Sequence, residues 1–209
     1  MKGSTTRVLA ALGAAVFVMG IAGPAQAQRR GGFNQASVTG LLRFEEVRTE
    51  LKLDPAQSEL VQGYIESTQG RREELQGLQR EERAAKEAAF EATDQAKINE
   101  ILNEAQEKRL AELLIQRAGS QALARKDVQD KLSLSAEQRQ QITTIETEIA
   151  AKQREARQDG GGGREAFQAI NMERETRLLA VLTAAQKTSF EGLKGAAFEF
   201  PQRRGRGNN

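Results

Sequence analysis

The sequence predicts an all-α protein made of helical hairpins in two tandem repeats of about 80 residues each. Three observations predict it. A short helix-start motif occurs four times at paired spacings, and apolar residues step by three and four between the copies. Only 4% of residues are aromatic while 29% are charged, so a core has to come from Leu, Ile, Val and Ala, one stripe per helix.

The motif is Leu, then a small polar residue, then Gln three residues further on. It reads Leu53-Asp54-Pro55-Ala56-Gln57, Leu102-Asn103-Glu104-Ala105-Gln106, Leu134-Ser135-Ala136-Glu137-Gln138 and Leu182-Thr183-Ala184-Ala185-Gln186. Residues 28–209 hold 18 Leu, 28 Ser, Thr, Asn or Asp, and 20 Gln, from which chance predicts about 0.3 copies. Ser, Thr, Asp or Asn at an N-cap accepts from the N3 backbone N–H, and Gln at N3 accepts in return from the N-cap N–H, so each motif is a capping box. Asp54, Asn103, Ser135 and Thr183 are the expected caps, with Gln57, Gln106, Gln138 and Gln186 as their partners. The step from the first copy to the third, Leu53 to Leu134, is one longer than the step from the second to the fourth, Leu102 to Leu182. Around them Val47, Leu51 and Val61 align with Val128, Leu132 and Ile142, and Leu113 with Leu193. The spacing therefore predicts a duplication with one residue inserted or lost.

In chain order, Lys2 and Arg7 precede an apolar, uncharged run from Val8 to Ala22, which Gly23-Pro24 breaks ahead of Ala25-Gln26-Ala27. That is the layout of a signal peptide over residues 1–27. Its fifteen apolar residues fall short of the roughly 18 that span a bilayer. The protein is accordingly expected to be exported, periplasmic or secreted. Residues 28–36, rich in Gly, Gln and Arg, are expected to be a disordered basic N-terminus. Repeat unit 1, residues 37–119, should open with a helix from about 37 to 51 carried by Val38, Leu41, Leu42, Val47 and Leu51. A second helix follows Asp54 with Pro55 at N1, its stripe running through Leu60, Val61, Tyr64, Ile65, Thr68, Leu75 and Leu78. Eleven charged residues lie from Arg71 to Glu91, in pairs such as Glu82 and Lys86, and a turn is expected near 79–83 or near Thr93-Asp94. Ile98, Ile101, Leu102, Leu110, Leu113, Leu114 and Ile115 rebuild an apolar face that Gly119 closes. Repeat unit 2, residues 120–200, repeats the plan. Ile142, Ile145 and Ile149 mark one helix, ended by the glycine run 160–163; a helix from Arg164 carries Ile170, Leu178 and Leu182; the last runs from Thr183 to about Gly195. Residues 201–209 are expected to be a disordered Arg/Gly tail.

Cys, His and Trp are absent, which removes thiolate and imidazole nucleophiles and the usual zinc, copper and haem ligands. Glu45/Glu46, Glu73/Glu74 and Glu81/Glu82 are sequence neighbours, which a helix points about 100° apart, so a solvated face is expected rather than a paired acid and base. No enzymatic activity, cofactor or metal is expected. Without residues 1–27 the chain carries 29 basic and 29 acidic residues, and that neutrality gives no reason to expect specific nucleic-acid binding. Arg29 and Arg30 at one end and Arg203, Arg204 and Arg206 at the other leave an acidic body between them. Such tails can bind anionic surfaces by counterion release.

At its four motifs the sequence resembles the LTxxQ-motif proteins of the bacterial periplasm, the Spy/CpxP family. The copy at Leu182 to Gln186 matches in full, and the others replace Thr by Asp, Asn or Ser. The resemblance implies an all-helical cradle, hence an elongated, curved layer of hairpins. It also implies ATP-independent chaperone or envelope-stress activity toward unfolded or partly folded client proteins. The best understood members are homodimers with two motifs per chain, so four motifs imply a monomeric pseudo-dimer or a homodimer. Because a thin curved layer cannot hide every stripe, Leu60, Val61, Tyr64, Ile65, Ile142 and Ile145 are the candidate client-contact residues. The alternative is a non-enzymatic structural or adaptor protein that binds anionic envelope polymers through its Arg-rich tails.

Overall fold

A computed structural model describes residues 36–158 and 163–201. The signal-peptide segment, nearly all of the basic N-terminus, most of the glycine run and the Arg/Gly tail from 202 onward lie outside the described residues. Every regular element among the described residues is helical. In order they are α1 (Val38–Leu42), α2 (Glu45–Glu50), α3 (Pro55–Ser67), α4 (Arg71–Glu74), α5 (Arg80–Ile101), α6 (Glu104–Ala118), a 3₁₀ segment (Gly119–Ala124), α7 (Lys126–Lys131), α8 (Ala136–Gln158), α9 (Arg164–Ala180) and α10 (Ala184–Gly192).

The apolar stripes converge on two cores. The first gathers Leu41, Leu42, Val47, Val61, Ile98 and Leu110 with their neighbours, all but inaccessible to solvent. The second gathers Leu123, Val128, Ile142, Ile149, Leu178 and Phe190. Each such side chain contributes about 1.5–3 kcal/mol by leaving water. Helix α6 serves both, since Leu113 and Leu114 belong to the first core and Ile115 to the second. Two adjacent helical residues point about 100° apart, which lets one helix lie between two cores.

The single helix expected over 37–51 is two helices. From Leu42 to Val47 is five residues, so a continuous helix would turn Val47 about 140° away from the face that Leu42 occupies. The chain instead breaks at Phe44, whose backbone is extended, and both residues reach the core. Arg48 donates to the carbonyl oxygen of Leu42 at 2.9 Å, satisfying an acceptor that the break exposes.

Helix α3 also stops earlier than its stripe indicates. The hydroxyls of Ser67 and Thr68 donate to the carbonyl oxygens of Tyr64 and Ile65, both at 2.7 Å. Helix α4 follows, and Gly77 at φ 77 turns the chain into α5. The turn thus falls at 75–79, just ahead of the first expected position, and Thr93-Asp94 lies inside α5. Glu82 accepts from the Gln79 N–H at 3.2 Å, and Lys86 pairs across the turn with Glu74 at 2.9 Å instead of with Glu82. Positions 149–151, which are Ile-Ala-Ala where 68–70 are Thr-Gln-Gly, continue α8 unbroken with Ile149 fully buried. Helices α8 and α9 pack antiparallel, with Arg177 on Glu148 at 2.5 Å and Lys152 on Glu173 at 2.6 Å.

Candidate functional site

The four motifs meet in pairs. Asp54 accepts from the Gln57 N–H at 2.8 Å while Gln57 accepts from the Asp54 N–H at 3.1 Å. Asn103 and Gln106 exchange the same two bonds, both at 3.0 Å. The two glutamines then face each other. Gln57 Nε2 donates to Gln106 Oε1 at 2.8 Å and to the Ile101 carbonyl at 2.9 Å, and Gln106 Nε2 donates to Gln57 Oε1 at 2.9 Å and to the Lys52 carbonyl at 3.4 Å. Both amides use both donor hydrogens and accept twice at oxygen, their full capacity.

A like set joins the other pair. Ser135 and Thr183 cap their helices against Gln138 and Gln186. Gln138 Nε2 donates to Gln186 Oε1 at 2.7 Å and to the Val181 carbonyl at 2.9 Å, and Gln186 Nε2 donates to Gln138 Oε1 at 3.0 Å and to the Leu132 carbonyl at 3.4 Å. Lys52 at φ 51 and Ser133 at φ 49, which the motif alignment superposes, take the same left-handed conformation two residues before their caps. This clamp between motifs is not legible in the capping-box reading, which Glu at N3 would satisfy equally. A signal exists nonetheless, since all four copies carry Gln, which alone of the two supplies donors.

Beside the first clamp, α3 and α5 border an open groove of about 630 Å³. Leu60, Tyr64 and Ile101 give it apolar walls, and Glu59, Lys97 and Glu100 stand on its rim. Leu60 is 59% exposed, and a Cβ added at Gly63 would meet open space. Lys97 and Glu100 pair at 2.9 Å, a hydrogen bond that raises the ammonium pKa.

The far end of Tyr64 is anchored. Its hydroxyl donates to Asp94 Oδ1 at 2.8 Å and accepts from Arg71 at 3.1 Å, while Thr39 donates to Asp94 Oδ2 at 3.1 Å. Arg71 also pairs with Asp94 and lies over the rings of Phe90 and Tyr64 at 4.6 and 5.9 Å. Asp94 is 6% exposed, and this network ties α1, α3, α4 and α5 together. Burial, then the Asp94 carboxylate, push the Tyr64 phenol above its ordinary value against the pull of Arg71. Burial works to lower Arg71, but its bonds to Asp94 and Tyr64 win and hold it above the usual guanidinium value.

The candidate contact residues divide on this geometry. Val61 and Ile65 lie in the first core and Ile142 and Ile145 in the second, each 7% exposed or less, so as placed they pack the fold instead of forming a surface. Their stripes are the faces by which α3 and α8 bury themselves. Leu60 and one side of Tyr64 remain available at the groove. At the positions that the motif alignment sets against them, Leu60 and Gly63 are replaced by Gln141 and Thr144, and Asp94 by Arg174, whose Nε stands 3.7 Å from Glu146. The second half therefore does not repeat the Leu60 and Gly63 side of the groove, although Met172 on α9 is 69% exposed. Among the described residues no His, Cys, Asp or Glu groups gather as a metal site, and no helix is long and apolar enough to cross a membrane. Compared with protein-family models, curated proteins and solved structures, the chain matches none.

Proposed function

We propose that this is an exported, non-enzymatic helical protein of the LTxxQ-motif kind, built by tandem duplication as one curved layer, that holds unfolded or partly folded client chains loosely and without ATP. The observation that carries the reading is the charge-rimmed apolar groove at Leu60, Gly63 and Tyr64, held open beside a clamp made by two motif glutamines. An apolar floor with a mixed-charge rim suits weak capture of many sequences, because burial of apolar area is not directional. The duplication is supported by two like sets of bonds that recur at the motif interval. They include Arg48 on the Leu42 carbonyl and Gln129 on the Leu123 carbonyl, both at 2.9 Å. One chain would then do the work of a dimer.

The test is light scattering from an aggregating model protein at low salt without nucleotide. Suppression at a few-fold excess of the full chain is expected, and Leu60→Asp should weaken it several-fold while leaving the urea midpoint unchanged, because Leu60 is mostly exposed. No suppression at all, with binding to anionic polymer lost when the Arg-rich ends are neutralised, would establish the adaptor reading instead.

A further inference from the structure

After α10 the chain leaves the second core and returns to the first. Gly195, at φ 63, makes the turn; an added Cβ there would collide with the Glu112 carboxylate, which Arg109 holds at 2.8 Å. After a bend at Ala196, residues 197–200 run along α6 outside any helix or turn, with Phe198 and Phe200 half-buried against the first core and Ala197 and Glu199 exposed. The rings meet edge to face at 5.0 Å, and the Arg117 guanidinium lies 5.1 Å from the centre of Phe200.

Gln116 reads the backbone of this segment. Its Nε2 donates to the carbonyls of Lys194 at 2.5 Å and Ala196 at 2.7 Å, and its Oε1 accepts from the Phe198 N–H at 3.0 Å. Those contacts are blind to the side chains of whatever segment lies there. Selection comes from two aromatic residues spaced two apart, which an extended chain directs to one face, with the exposed Glu199 between them. Main-chain bonds together with side-chain pockets are the way folded proteins take up extended peptides. The motif alignment sets Ala196 against Gln116, so the second half carries no such reader.

We propose that this site is a docking site for extended client segments carrying two aromatic residues spaced two apart, and that residues 196–200 are its resident, displaceable occupant. Among the described residues the strap is held by the Gln116 amide, by two half-buried rings and by the Arg117 guanidinium over Phe200. A client segment of the same pattern can replace every one of those contacts, and hiding the site while no client is present limits self-association. The inference rests on the client-holding reading and names a class of segment that reading leaves open.

The probe is a fluorescent, capped peptide copying residues 195–201, with a control in which both Phe are Ser. In the full chain, Phe198→Ser with Phe200→Ser vacates the site. Anisotropy should show the peptide binding this variant at least ten-fold more tightly than the unaltered chain, the control not binding, and added Gln116→Ala abolishing the gain. In the unaltered chain, excess peptide should accelerate hydrogen exchange at 196–200 while the core helices stay protected. A folded double variant that ignores the peptide overturns the proposal. If that variant does not fold, unchanged exchange at 196–200 in the unaltered chain overturns it. A concentration-dependent dimer that the double substitution abolishes would also overturn it, making the site an interface between copies. Peptide binding without suppression of scattering would sink the client-holding reading alone; suppression without peptide binding would sink only the docking site.

Discussion

Among single residues, the motif glutamine has two roles that call for different atoms. Its oxygen closes the capping box, and its nitrogen bonds the opposite motif and a carbonyl from another turn of chain. Glutamate could do the first and not the second, and in place of Gln106 it would put a carboxylate oxygen against Gln57 Oε1 and the Lys52 carbonyl with no hydrogen between. Gln106 is 8% exposed, so water cannot repair the loss freely. Gln106→Glu is expected to lower stability by about 1–3 kcal/mol, read as a fall in the urea midpoint. An unchanged midpoint would mean that the clamp contributes nothing beyond the cap. The neighbouring Asp94 network leaves no local trace in the sequence. Thr93-Asp94 has the composition of a turn, and nothing nearby marks Asp94 as the acceptor of Thr39, Tyr64 and Arg71, which lie 55, 30 and 23 residues away.

Among the elements, α6 has the largest duty, because Leu114 and Ile115, about 100° apart around it, commit two of its faces to different cores. Leu114→Ala and Ile115→Ala should each cost about 2–5 kcal/mol through cavity formation. Because the helix is common to both cores, each substitution should shift one shared unfolding transition. Two separated transitions in calorimetry, one moved by each substitution, would show the cores to be independent. Helices α3 and α8 make the complementary point. Similar starts, Asp54 with Gln57 and Ser135 with Gln138, lead to a helix of 13 residues and one of 23. The difference lies where Thr68 turns its hydroxyl onto the backbone and Ile149 buries its side chain.

Across the molecule as a unit, the lack of His and Cys sets the response to pH. Tyr64 has a raised value in the fold, so its contribution is complete below the unfolded value and is lost as pH climbs past about 10, while Arg71, also raised, stays charged through that range. Asp130, Glu137 and Glu173 are lowered by hydrogen bonds, from Lys126 and Arg139, from Ser135, and from Lys152 and Arg177 respectively. Their contribution is present above the unfolded carboxylate value and fades as pH falls below about 4. Glu87, raised by its burial, acts in the opposite sense at the acid end. The chain has neither His nor Cys, the side chains whose ordinary values fall in between, so the urea midpoint should stay flat from about pH 6 to 9. A sloping midpoint across that window would point to a titrating group that the described residues do not account for.

Residue type and spacing alone specify most features whose cause spans a turn or two of chain, the early end of α3 at Ser67 and Thr68 being an exception. The four caps and their glutamines, the helical class and the apolar stripes rest on contacts three or four residues long, and all are legible in the sequence. Long-range packing had to decide that Val61, Ile65, Ile142 and Ile145 are core while Leu60 faces a groove. It also paired Gln57 with Gln106 across 49 residues, broke the first helix at Phe44, and carried Phe198 back across 82 residues to Gln116. Periodicity shows that a surface must be buried but not which partner buries it. That choice depends on how entire helices fit together, and it was made where distant side chains could fill space and satisfy one another's polar atoms.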